Sequence, residues 1–282
     1  MKKLLLLLIC PFAAYSQQAF DIEGHRGARG LYPENTIVAF TQALKLGVNT
    51  LEMDIAVTAD SQLVISHDPT INCDICNCNG LTERSIYHMP YSAVKTIDCG
   101  SKGNEKFPEQ QKMQAVKPRL TEVIDTIEQL TAELHLPAAY YNIETKSTVD
   151  GDNKLHPAPA VFSKMLYDVI KSKGILKRTI VQSFDVRTLQ EIKKIDSTVT
   201  TALLVLDADG VKKNIKQLGY TPEIYSPNYI LVNKKVVRFC HQHKIRIVPW
   251  TVNDEDKMRK LKDLGVDGII TDYPDRAIKV LR

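Results

Sequence analysis

From about residue 20 onward, short aliphatic and β-branched runs alternate with stretches whose apolar residues recur at helical spacing, and this leaves few folds open. Strands separated by helices cannot pair as hairpins, so the alternation predicts a parallel sheet covered by helices. Candidate strands lie at 20–22, 50–55, 141–146, 179–184, 201–206, 223–225, 246–250 and 268–271, eight in all. Leu63 to Ser66 returns from the second strand through a turn-like Thr58-Ala59-Asp60-Ser61 and reads as a hairpin extension outside that count. After the first strand, Asn35 or Thr36 can cap a helix carrying Ile37, Phe40 and Leu44 on one face, and Gly47 can end it. From about 69 to 117 the pattern lapses into an insertion rich in Asn, Cys, Gly, Lys and Gln, expected to lie over the site.

The second strand carries the most informative pair. Glu52 and Asp54 are two residues apart, and a strand has a period of two, so both carboxylates share a face while Leu51, Met53 and Ile55 fill the other. Tyr141 to Lys146 repeats the device, placing Asn142, Glu144 and Lys146 together. Buried anions need a cation, a basic partner or a raised pKa. Glu52, Asp54 and Glu144 are therefore candidate oxygen ligands for one hard divalent ion, Ca²⁺ or Mg²⁺. Paired charges on half-exposed strands are the bland alternative. Two histidines weigh against it: His25 follows the first strand and precedes Arg26-Gly27, and His67 closes the hairpin beside Asp68. Histidine titrates near neutrality, so one can take a proton while the other gives one, and Arg26 can hold a phosphate oxygen through paired donors.

These segments, in order, resemble the glycerophosphodiester phosphodiesterase family. The resemblance rests on His25-Arg26-Gly27, Pro33-Glu34-Asn35-Thr36 with Phe40, Glu52-Met53-Asp54, His67-Asp68, Ile143-Glu144-Thr145-Lys146, Ser183-Phe184, Trp250 to Asn253 and Gly268 to Pro274. It implies an α/β fold, a TIM (β/α)8 barrel with a small insertion after the second strand and its hairpin. It further implies metal-dependent hydrolysis of small-molecule glycerophosphodiesters to glycerol 3-phosphate and an alcohol. His25 and His67 are expected to be the catalytic base and acid, in an order that could be reversed. Arg26, Lys146, Phe184 and Trp250 are expected to bind substrate, Trp250 as a wall for the glycerol carbons. The stretch after His67-Asp68, with cysteines in place of the family's Arg-Thr-Thr-like residues, points to altered substrate choice. A sphingomyelinase D-like phospholipase on the same barrel, or a non-catalytic periplasmic phosphodiester-binding protein, are the rival readings.

At 282 residues with 44% hydrophobic content, the chain suits one barrel domain. Met1-Lys2-Lys3, an apolar run and Ala14-Tyr15-Ser16 read as a signal peptide over 1–16, leaving 17–282 as the barrel domain, periplasmic or secreted. The apolar run is too short for stable membrane insertion. Ile9 before Cys10 is the wrong residue for a lipoprotein signal. Losing Lys2 and Lys3 takes the formal charge from +4 to +2, which gives no reason to invoke nucleic acid. Oligomeric state is not encoded in any recognisable pattern. Cys73, Cys76, Cys78 and Cys99 suit two disulfides in an oxidising compartment or a four-thiolate zinc site, the former favoured, and Cys240 reads as a buried small hydrophobe. Ser183 lacks the glycine-flanked elbow of serine hydrolases.

Overall fold

A computed structural model describes residues 20–282; the expected signal peptide lies outside the described residues. Nine strands form the sheet: β1 (Asp21–Gly24), β2 (Thr50–Val57), β3 (Leu63–Ile65), β4 (Tyr140–Thr145), β5 (Thr179–Ser183), β6 (Thr200–Val205), β7 (Ile224–Pro227), β8 (Arg246–Ile247) and β9 (Gly268–Thr271). Eight of them run parallel in the order β8-β7-β6-β5-β4-β2-β1-β9, and β3 folds back antiparallel on β2, with Ile55 opposite Ile65. The ring is closed at its seam by Asp267 N donating to Ile247 O at 2.9 Å and Ile270 N donating to Pro249 O at 2.9 Å. The predicted barrel and its hairpin are both present.

Most predicted strands shift by one or two residues at an end, and the run 246–250 by more. The first begins one residue later than expected and runs on to Gly24. The run 246–250 counts only Arg246 and Ile247 as a strand; Val248 N and Trp250 N still donate to Tyr225 O and Pro227 O of β7, while Pro249 has no N–H to offer on the side of β9, and Trp250 makes an isolated parallel pairing with Asn228.

Helices α1 (Ile37–Leu46), α3 (Leu120–Glu133), α4 (Pro159–Ser172), α5 (Val186–Ile195), α6 (Val211–Leu218), α7 (Lys234–Gln242), α8 (Glu255–Leu264) and α9 (Pro274–Leu281) cover the ring, and the short α2 (Tyr91–Val94) lies in the insertion. Thr36 caps α1 by accepting from Ala39 N, and Gly47 ends it with φ 95°, as the sequence predicts. The outward faces of β2 and β4, Leu51, Met53, Ile55, Tyr141 and Ile143, are fully buried under the helices. Burial of this order, about 2 kcal/mol for each large aliphatic side chain, is what fixes the strand register and turns Glu52, Asp54 and Glu144 inward. The barrel interior is divided: Ile180, Ala202, Ile224, Val248 and Ile270 make an apolar half, while Glu23, Glu52, Asn142, Glu144 and Gln182 make a polar one.

The insertion contains a small core of its own, in which Ile71, Ile75, Ile86, Val94 and Ile97 pack on Ala56 and Val64. Two disulfides, Cys73–Cys78 and Cys76–Cys99, brace it, and Cys240 is buried and free.

Candidate active site

The predicted site residues lie at or just beyond the C-terminal end of a barrel strand or the hairpin, except Glu52 and Asp54, which sit within the long β2 just past the level at which β1 ends, where Gly24 pairs with Leu51. His25, Arg26, Glu52, His67, Glu144, Lys146, Phe184 and Trp250 line a single cavity of about 220 Å³, and Asp54 sits beneath it.

Ligand oxygens of Glu52, Asp54 and Glu144 lie within 4.8 Å of one another, and all three residues are buried. Asp54 Oδ1 is buried without a hydrogen-bond partner. An unpartnered carboxylate oxygen aimed among two further carboxylates is a donor set suited to a hard cation. Burial pushes Glu52 well above the usual carboxylate range, and Asp54 and Glu144 beside it push the same way. Glu144 is raised chiefly by burial, against Lys146. Asp54 is held low: burial opposes its ionisation, but Arg26, Lys146 and His67 outweigh burial.

The ligands are held in place from behind. Glu52 Oε2 accepts the Arg26 backbone N–H at 2.8 Å and Oε1 accepts from Gln182 Nε2 at 2.7 Å. Gln182 in turn accepts from Asn142 Nδ2 at 3.1 Å, and the same nitrogen donates to Glu23 Oε2 at 2.7 Å. Asn35, in the loop before α1, donates to Asp54 Oδ2 at 2.9 Å. The tight path of that loop depends on Gly27, whose φ is +84° and where a Cβ would come within 2.5 Å of the Ala39 backbone.

Arg26 is less free than the sequence suggests. Its Nη1 donates to Glu34 Oε1 at 2.7 Å and its Nε lies 3.3 Å from Asp54 Oδ2, so it braces the carboxylates as well as facing the cavity. Glu34 thus partners Arg26 and does not cap α1. Lys146 Nζ donates to Glu144 Oε1 at 2.7 Å and stands 3.7 Å from Asp54 Oδ1.

Each histidine is paired with an acid through Nδ1. His25 Nδ1 is 2.6 Å from Asp272 Oδ1, and His67 Nδ1 is 2.7 Å from Asp68 Oδ1. Burial, then Arg29, push His25 down to about 4, against the upward pull of Asp272. Its Nε2 is 4.0 Å from Glu52 Oε2. Asp272 is clamped from three sides, by His25, by Arg29 Nε at 2.8 Å and by Asn253 Nδ2 at 2.7 Å. Sequence reasoning assigned Asp272, Arg29, Asn253 and Gln182 no role, although Asp272 follows β9 as His25 follows β1, and that shared strand-end position was the available signal. Lys117, also unremarked, is buried with Glu34 and Asp68 as its nearest charges; burial lowers its pKa against their pull.

The remaining candidates are structural. Ser183 Oγ donates to Thr145 O, and His156 is buried, accepts from Thr148 N at 3.0 Å and stacks on Phe162. Trp250 donates from Nε1 to Ser226 O and meets Phe184 edge-on with centroids 5.4 Å apart. The expected cover is corrected by the cavity lining, which includes no residue between 69 and 117 among the described residues. The insertion reaches the site indirectly: Phe107 packs under the Arg29 guanidinium at 4.6 Å, and Gln110 donates to Arg29 O at 2.8 Å.

The profile of the Glycerophosphoryl diester phosphodiesterase family matches residues 25–276, a span that begins at His25 and takes in every predicted site residue. The chain belongs to that family. A glycerophosphodiester phosphodiesterase of Bacillus altitudinis is 32% identical over 263 residues, covering 92% of this chain and 97% of its own. One from Bacillus subtilis is 30% identical over 268 residues, covering 91% and 84%. Among solved structures, a protein from Silicibacter pomeroyi provisionally assigned to this activity superposes with a TM-score of 0.83 at 28% identity, over 93% of both chains. A phosphodiesterase of Oleispira antarctica, solved with its product sn-glycerol-3-phosphate, shares the fold with a TM-score of 0.74 at 20% identity, over 93% of this chain and 96% of its own. The chain is accordingly an enzyme, a phosphoric diester hydrolase of the glycerophosphodiester class, on the (β/α)8 barrel expected from its sequence.

Proposed function

We propose that the protein cleaves glycerophosphodiesters to glycerol 3-phosphate and an alcohol with one divalent metal ion, Ca²⁺ or Mg²⁺, and a pair of acid-anchored histidines. The observation that carries this reading is the convergence of three buried carboxylates with two histidines, each pinned through Nδ1 to its own acid, around one cavity. Glu52, Asp54 and Glu144 would hold the ion, which when bound would neutralise charge on the phosphoryl oxygens. The product seen in the Oleispira relative supports the glycerol phosphate half of the substrate.

His25 serves as the base. Partly exposed to the cavity, with its pKa pushed down by desolvation and Nδ1 bound to Asp272, it takes a proton at Nε2 from the attacking hydroxyl, either of water or of the glycerol next to the phosphate. The new O–P bond forms as the bond to the leaving alcohol breaks, and His67, its Nδ1 held by Asp68, gives a proton to that alcohol oxygen; on the glycerol route water then opens the cyclic phosphate to glycerol 3-phosphate. Lys146 and Arg26 keep the surrounding charge balanced, and Phe184 and Trp250 wall the apolar side of the glycerol. A merely binding barrel would not need two separately anchored proton carriers. Release of glycerol 3-phosphate from glycerophosphocholine, followed with and without chelator, tests the proposal; no release in the presence of either metal would refute it. Appearance of a cyclic phosphate by ³¹P NMR would identify the glycerol hydroxyl as nucleophile.

A further inference from the structure

Behind the three carboxylates, the polar half of the barrel interior holds a fourth acid that the mechanism does not use. Glu23 points inward from β1, is fully buried and forms no ion pair among the described residues. The cations around it are engaged elsewhere. Arg246 donates from Nη2 to Asp21 Oδ2 at 3.0 Å, and Asp21 Oδ1 accepts from Thr50 Oγ1 at 2.8 Å. Arg26 is taken up by Glu34 and Asp54, and Lys146 by Glu144. The polar group that Glu23 does meet is an amide, Asn142, whose Nδ2 donates to Oε2 at 2.7 Å.

The hydrogen bonds of this row have a direction. Gln182 spends Nε2 on Glu52 Oε1 at 2.7 Å, so its own Oε1 must accept on the far side, and it takes Asn142 Nδ2 at 3.1 Å. Asn142 gives its second N–H to Glu23. Reversing the Asn142 amide would set oxygen against Gln182 Oε1, and reversing both amides would set oxygen against the Glu52 carboxylate. Two oxygens are left over: Glu23 Oε1 and Asn142 Oδ1 are both buried without a partner. Two unpaired acceptors on groups already bonded to each other call for a donor between them, and a buried carboxylate without a cation is costly. One hydrogen on Glu23 removes the charge and supplies the donor.

We propose that Glu23 stands as a neutral carboxylic acid with its proton on Oε1, facing Asn142 Oδ1, and that in this form it is a positioning residue which, through Asn142 and Gln182, holds the Glu52 carboxylate ready for the divalent ion. Burial, then Asp21, raise its pKa to about 8 against the Asn142 hydrogen bond and Arg246, in agreement with that geometry. The protonation stands on the network alone; the positioning role rests on the metal reading above.

The two halves are tested separately. Infrared difference spectra of the parent minus Glu23→Gln isolate this carboxyl from those of Glu52 and Glu144. The carbonyl band of a neutral acid should be present at pH 6 and fade above pH 8. Its absence at pH 6 would mean an ionised Glu23, with a trapped cation or water serving the two oxygens, and would overturn the proposal. Calorimetric titration with Ca²⁺ and Mg²⁺ reads the positioning without turnover. Glu23→Gln, which keeps an acceptor and offers a donor where the acid carries its proton, should bind with the parent's Kd. Glu23→Leu should bind about tenfold more weakly, the lower end of what losing an outer partner of a metal ligand costs. Asn142→Leu breaks the same chain one link nearer and should do at least as much, so the test survives a Glu23→Leu protein that does not fold. Glu23→Leu combined with Gln182→Leu should lose no more than Gln182→Leu alone, since both act along one path. Unchanged affinity in Glu23→Leu or Asn142→Leu, additive losses in the double variant, or a Glu23→Gln protein as weak as Glu23→Leu would each overturn the positioning role. A parent that binds neither ion would overturn the metal reading and the positioning with it, while the infrared band would still decide whether Glu23 carries the proton.

Discussion

A histidine moves protons in a defined direction only when one ring nitrogen is pinned and the other is left to face the reacting atoms. His25 and His67 both meet that condition, with Asp272 and Asp68 at 2.6 and 2.7 Å. General acid or base catalysis is worth about 10²- to 10⁴-fold, so His25→Ala and His67→Ala should each lower kcat at least a hundredfold with bound metal unchanged. Near-normal kcat in either variant would remove that residue from the mechanism. Deeper in the barrel, Glu23 is fully buried, and burial followed by Asp21 raises it from 4.5 to about 8 against the Asn142 hydrogen bond. A carboxyl with a raised folded pKa costs nothing below its unfolded value and progressively destabilises the chain as pH climbs between the two. Glu23→Gln, neutral throughout, should therefore match the parent in urea melts at pH 4.5 and exceed it at pH 8, the gap widening by at most about 1.4 kcal/mol for each pH step of one. An equal difference at both pH values would show that Glu23 is ionised in the folded protein. The carboxylate trio was legible in the sequence because a period of two is a local property. Asp272 and Arg29 were not, because their contacts with the site depend on closure of the ring that brings β9 beside β1.

At the scale of elements, legibility follows the same division. The strand and helix alternation, the cap of α1 and the hairpin of β3 on β2 are all set by neighbouring residues and were predicted. The short β8 is narrower than the hydrophobic run that marks it, because Pro249 can accept from Ile270 N but has no N–H to donate back towards β9. The insertion was recognised by its lapse in pattern, but its direction of packing was not, since its contacts run to Ala56, Val64, Arg29 and Tyr273, at sequence distances no periodicity reports. The cystine pairs could not be assigned from spacing. The structure joins Cys76 to Cys99 across 23 residues, and closing a loop of that size restricts the unfolded chain by about 3 kcal/mol. Non-reduced peptide mapping should recover Cys73–Cys78 and Cys76–Cys99, and Cys76→Ser with Cys99→Ser should raise hydrogen exchange across 70–100 far more than in β4 or β5. Four free thiols with stoichiometric zinc would decide for the metal site instead. The insertion buttresses Arg29, which lines the cavity, through Phe107, so loss of its order should be felt at Arg29 and, through Asp272, at His25.

For the whole molecule, the metal site ties stability to chemistry. Glu52 and Glu144 are raised by burial when nothing but protein surrounds them, and both lie where β2 and β4 make the most extensive strand pairing of the barrel. A raised carboxyl holds its proton in the folded chain, so the metal-free protein is least penalised at low pH and loses stability as pH rises above the unfolded value of 4.5. A bound cation reverses that sense, because it pairs with the ionised form and competes with protons for the same oxygens. The stabilisation by Ca²⁺ or Mg²⁺ should therefore be small near pH 5 and grow towards pH 8. At a hundredfold excess over Kd the linkage is worth about 2.7 kcal/mol, which for a barrel of this size is a rise in Tm of roughly 5 to 10 °C. Thermal melts at pH 5 and 8, with chelator and with each ion, read this directly, and activity measured on the same samples should fall with the chelator and return with the ion. A Tm and activity indifferent to chelator at both pH values would show that Arg26 and Lys146 alone satisfy the three carboxylates, and the cluster would then be a buried ion-pair network rather than a metal site.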